Sequence, residues 1–143
     1  MSFKLNRFPA DKQDQIEQLI AYTQMLGLTG ADLVSIGGKM QREQIKARKE
    51  ANMKIINEFQ CLKIGRDTSI DLNNRFKLKT ADGMYSLTAG RWSAWTVVNT
   101  TTQAKRSHTA NHYEYDLPKT SHRTQIRYAM LLDIALGKFR LDF

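Results

Sequence analysis

The sequence predicts an α+β fold, with N-terminal helices and a C-terminal helix packed on one face of a mainly antiparallel sheet of about four to five strands. Three observations lead there. Apolar residues recur at helical spacing over residues 10–26, apolar and basic residues alternate over 75–79, and an apolar run follows a capping site after Pro118. At 143 residues the chain reads as a single domain, helical over 1–60, strand-rich over 61–117, and a helix with a tail over 118–143.

In the first helix Ile16, Leu19, Ile20, Thr23 and Leu26 share a stripe. Asp11 and Asp14 complement the positive end of its dipole, and Gly27 supplies the stop. Thr29-Gly30-Ala31-Asp32 predicts a capped restart, with the acid three residues after the capping hydroxyl. Residues 39–59 are rich in helix formers, with Met40, Gln44, Ala47, Ala51, Ile55 and Phe59 along a narrow stripe. Gly37-Gly38 either kinks one helix or separates two, and the second case has the outline of a helix-turn-helix. Lys39, Arg42, Lys46 and Lys49 form a basic row, but Glu43 and Glu50 interrupt it, which favours a solvated face.

From Phe59 onward the period changes. Phe76 and Leu78 alternate with Arg75, Lys77 and Lys79, and Ala81-Asp82-Gly83 turns the chain into a returning strand over 84–88. Residues 91–102 have a β-type composition, 103–107 read as a polar connection, and 110–117 alternate again. Pro118 ends that strand, and Thr120 or Ser121 caps a last helix carrying Ile126, Ala129, Met130 and Ile134. Gly137 stops it, and Phe139, Leu141 and Phe143 alternate as a short strand or a docked tail.

Alternation assigns each strand residue to a face. The core face takes Phe76, Leu78, Tyr85, Leu87, Trp95, Val97, Tyr113, Tyr115 and Leu117. The opposite face takes Arg75, Lys77, Lys79, Ser86, Thr88, Trp92, Thr96, His112 and Glu114. Trp92 and Trp95 are three residues apart, so one continuous strand cannot bury both.

The net charge is +8 and the pI about 9.7. Residues 1–60 account for +2 of this and residues 61–143 for +6, so the excess belongs to the strands and their loops. A basic sheet face bearing an exposed ring suits nucleic acid, because Lys and Arg displace counterions from phosphates while the ring stacks on an unpaired base. The expected function is therefore nucleic-acid binding, RNA or single strands favoured. Arg75, Lys77, Lys79, Arg91, Lys105 and Arg106 would hold phosphate, and Trp92 would stack. A protein partner with an acidic surface, met by an inhibitor or adaptor, is the alternative for the same charge.

His108, His112 and His122 fall within fifteen residues of one another. They lack the spacing of a tight metal site, so neither a metal nor another cofactor is expected. A metal-independent ribonuclease is the enzymatic alternative, with His112 and Glu114 as the acid–base pair and Arg123 on the phosphate. Gly37-Gly38-Lys39 lacks the spacing of a phosphate-binding loop, and no nucleophile elbow occurs.

The longest apolar stretch, residues 128–132, falls short of the about 20 residues a membrane span needs. No apolar segment follows the basic N-terminal run, so no secretory leader is expected. Cys61 has no partner in the chain, which fits a reducing, cytoplasmic setting and makes the Asn99-Thr100-Thr101 sequon irrelevant.

Overall fold

The computed structural model describes residues 9–63 and 72–143. The basic N-terminal run, the side chain of Asp11 and Ile64 lie outside the described residues. Contacts group the chain into two compact units, residues up to 44 and residues 45–143.

In the first unit, α1 (Ala10–Met25) follows Pro9. Leu26 closes it, and Gly27 takes a φ of +72°, a left-handed turn that costs glycine nothing. Thr23 is the buried residue of this helix, its Oγ1 donating to the Ile20 carbonyl at 2.8 Å. The expected cap is present. Asp32 accepts from the Thr29 N–H at 2.8 Å and hydroxyl at 2.9 Å, and Thr29 Oγ1 accepts from the Asp32 N–H at 3.2 Å. These bonds, the backbone one first, hold the Asp32 carboxyl below its ordinary value.

α2 (Gly30–Asn57) runs unbroken through Gly37 and Gly38. The helix-turn-helix outline is thereby corrected. Each glycine costs about 1 kcal/mol relative to alanine in a helix, and the good helix formers beyond them are enough to carry the helix across. Its last turns belong to the second unit, where Ile56 is buried and Asn52 donates to the Asp116 carbonyl at 3.0 Å.

The second unit is built on a five-stranded antiparallel meander, β1 (Gln60–Leu62), β2 (Arg75–Thr80), β3 (Gly83–Ala89), β4 (Ala94–Asn99) and β5 (Lys105–Thr109), in that spatial order. The β2–β3 hairpin closes through Ala81-Asp82 with Thr80 opposite Gly83. Phe76, Leu78, Tyr85, Leu87, Trp95 and Val97 all point to one face and are buried, as alternation required. Phe76 meets Trp95 edge to face, ring centres 5.7 Å apart.

Two strand expectations are corrected. The fifth strand is formed by 105–109, read from sequence as part of a connection, and 110–117 are not a strand. Instead a single 3-10 turn, His112–Glu114, buries His112 and turns Tyr113 outward, the reverse of the expected alternation. Asn111 causes this by accepting the Tyr113 N–H at 3.0 Å through Oδ1.

α3 (His122–Ala135) starts at Ser121, whose Oγ accepts from the Thr124 N–H. Ile126, Ala129, Met130, Leu131 and Leu132 join the sheet's buried set in one core. Each such leucine contributes about 2 kcal/mol by leaving water. Beyond Gly137 the tail docks rather than forming a strand: Phe139 is buried, Tyr85 Oη donates to the Leu141 carbonyl at 3.0 Å, and Asn99 Nδ2 to the Phe143 carbonyl at 2.8 Å. Among the described residues no helix is long and apolar enough to cross a membrane.

Candidate nucleic-acid interface

The register fixes what lies on the far side of the sheet. Gln60 and Leu62, Arg75, Lys77 and Lys79, Met84, Ser86 and Thr88, Ala94, Thr96 and Val98, and Lys105, Ser107 and Thr109 alternate with the core set, and none of them is buried. Among the described residues Arg75, Lys77, Lys79 and Lys105 have no acidic partner, so this face carries four uncompensated cations. Arg106 does not belong with them. It lies opposite Val97, on the covered side of β5, where it pairs with Asp142 at 2.8 Å and sits over the Phe143 ring. The even–odd period that brings Lys105 to the open face takes its neighbour away from it.

At one end of the sheet, β2 and β4 begin, β3 and β5 end, and α3 starts. A cleft of about 850 Å³ opens there. Arg91, Trp92, Ser93, His112, Tyr113, His122 and Arg123 line it, over a floor that includes Ala89, Ala110 and Ile126. Thr109, also a lining residue, lies on the open face, so cleft and face adjoin.

Trp92 is not on a strand. It sits in the 3-10 turn Arg91–Ser93 before β4 and is 91% exposed. Trp92 and Ser93 both take left-handed backbone angles, φ 59° and 62°. Such conformations cost an L-residue about 1–2 kcal/mol each. The turn is held by its surroundings: the Gly90 N–H donates to the Ala94 carbonyl at 2.6 Å and the Ala110 N–H to the Ser93 carbonyl at 3.1 Å. Across the cleft Tyr113 is 84% exposed. Two large rings thus stand in water around one cavity, held there by local backbone geometry.

The three histidines divide by role. His108 lies under α3, its Nε2 2.7 Å from the buried Asp133 carboxylate, which also accepts from the Tyr115 hydroxyl. Burial, and then the bond to Asp133, push the Tyr115 hydroxyl above its ordinary value. That network holds the core together. His112 and His122 meet edge to face in the cleft, ring centres 4.7 Å apart. His112 is 8% exposed, and its Nδ1 is buried with no hydrogen-bond partner. Burial first, and the charge of His122 second, hold its imidazole below the usual histidine value.

Of the expected catalytic trio, His112 and Arg123 line the cleft and Glu114 does not. Its carboxylate pairs with Lys138 at 3.0 Å, a bond that raises the Lys138 ammonium above its ordinary value. The outward strand position assigned to Glu114 vanished with the strand. His122 is the cleft residue the trio left out. Its signal was there, first in α3 after the Ser121 cap, but only the tertiary fold brings it against His112. Arg123 donates to Asn74 through one guanidinium nitrogen. Among the described residues no three His, Cys, Asp or Glu side chains converge as a metal ligand set.

Compared with models of protein families, with curated proteins and with solved structures, the chain matches none.

Proposed function

We propose that the protein binds single-stranded nucleic acid, RNA foremost, across the open sheet face and into the sheet-end cleft. The observation that carries this reading is Trp92, 91% exposed and held outward at a backbone cost beside four unpaired cations. A monomeric domain gains nothing for its own core from such a ring, whereas an unpaired base stacked on it contributes about 1–3 kcal/mol. Arg75, Lys77, Lys79 and Lys105 supply phosphate contacts along the face, Arg91 supplies one at the cleft, and Tyr113 offers a second stacking surface. The lone Cys61 fits a cytoplasmic setting for this activity.

The two tryptophans make the test direct. Trp95 is fully buried, so quenching of fluorescence by an added oligonucleotide reports on Trp92. Oligouridylate is expected to quench it, and Trp92→Ala to weaken binding, read by anisotropy of a labelled strand, by about 10-fold. The double reversal Lys77→Glu, Lys79→Glu should flatten the plot of log affinity against log salt by about one unit. Unquenched tryptophan at low salt would sink the reading. Co-purification with one acidic protein after nuclease treatment would then favour a protein partner.

A further inference from the structure

We propose that the sheet-end cleft also cleaves the RNA it holds, by metal-free transfer of the phosphodiester to the adjacent ribose 2′-oxygen, with His112 and His122 moving the protons. This rests on the binding reading above and extends it from holding a strand to cutting one.

The geometry sets these two histidines apart from the third. His108 is committed to Asp133, whereas no carboxylate orients His112, and its buried Nδ1 has no partner. A buried, unsatisfied imidazole nitrogen is rare in a structural role and recurs where a group must gain and lose protons. The two rings come from different elements, the 3-10 turn and the first residue of α3, and touch at 4.7 Å between centres. Because they touch, a scissile phosphate meets both from the cleft side rather than passing between them. Arg123 adjoins His122 in sequence, and Arg91 lines the same cavity. Guanidinium forks at this spot suit the two non-bridging phosphate oxygens, whose charge grows as the pentacoordinate state forms. Trp92 and Tyr113 stand at the rim, where they can hold the bases flanking that phosphate.

In the step itself, His112 accepts the 2′-hydroxyl proton as that oxygen forms a bond to phosphorus. The bond from phosphorus to the 5′-oxygen breaks, and that oxygen takes a proton from the imidazolium of His122. The products are a 2′,3′-cyclic phosphate and a 5′-hydroxyl. No oxidant, reductant or water is consumed, and exchange with solvent returns each histidine to its starting state. Burial and the His122 charge favour the neutral form of His112, as a proton acceptor requires. The other groups facing it are Tyr113 from its own turn, Arg91 from the turn before β4 and Arg123 from α3. Glu114 takes no part.

The test uses the full chain in excess EDTA, with a labelled oligoribonucleotide and the deoxyribonucleotide of the same sequence. Cleavage of RNA alone, leaving 2′,3′-cyclic phosphate ends while the DNA still quenches Trp92, supports the proposal. His122 is exposed, so His122→Ala tests the chemistry without opening the core, and it is expected to slow cleavage about 100-fold. Glu114→Gln should cleave as the parent does. Intact RNA with quenching overturns the cleavage and leaves binding standing, whereas intact RNA without quenching removes both. Undiminished cutting by His122→Ala, or ends bearing a 5′-phosphate, also overturns it.

Discussion

The two units spend their apolar residues in opposite ways. Residues 45–143 seal Trp95, Phe76, Leu78, Leu87, Met130, Leu131, Leu132 and Val97 completely from water. Before residue 45 the described helices bury Thr23 and leave Leu19, Tyr22, Met25, Leu26, Leu33, Val34, Ile36 and Met40 exposed. Helix formers and caps therefore suffice to write α1 and the first half of α2, but their apolar side chains form no sealed core. The second unit has its own exposed rings, Trp92 and Tyr113, and there the cause differs. A complete core lies beside them, and a strained turn and an Asn111 cap aim them into a cleft. Exposure in the first unit reflects missing packing; in the second it is imposed by the backbone.

The sharpest way to break this contrast is to truncate one residue on each side. Leu131→Ala should cost about 2–5 kcal/mol in urea denaturation, because it opens a cavity in a sealed core. Met25→Ala, at an 83% exposed site, should stay within about 0.5 kcal/mol. Similar losses at both sites would mean that the first unit has a core of its own.

A smaller effect tests whether the backbone holds Trp92 outward. Ser93→Gly relieves a φ of 62° and should raise stability by about 0.5–1 kcal/mol while loosening the turn. Oligonucleotide affinity should fall in the same variant. A more stable protein that binds equally well would separate the strain from the function.

The gentlest perturbation is acid. The imidazole of His112 titrates below its ordinary 6.5 in the folded chain, through burial and then His122, so the unfolded chain binds that proton more readily. Its contribution is complete above pH about 6.5 and is lost as the pH falls through the lower folded value. Urea midpoints should drop on acidification, and His112→Asn should reduce the drop.

Local signals were read well from sequence where the partners are local. The β2–β3 hairpin has its alternation and turn within fifteen residues, and both the Gly27 stop and the Thr29–Asp32 cap lie within one helical turn. That Trp92 and Trp95 part company followed from their spacing alone. β5 was missed because its covered positions are Arg106 and His108, which no apolar pattern marks as inward. They can be inward because Asp142 and Asp133 reach them from 36 and 25 residues away. The cleft was half legible for the same reason. His112, Arg123, Arg91 and Trp92 were singled out by residue type, but the contact with His122 exists only once α3 docks.

β5 is the last strand of the sheet, and an outer strand offers unpaired amides and carbonyls to any other chain that lies alongside. Lys105 and Arg106 stand on that strand as like charges, one on each side, and two copies of it would repel before they could zip together. Variants that merely neutralise these residues therefore invite self-association, and reversing their sign is the safer way to weaken the surface without gluing molecules into fibres.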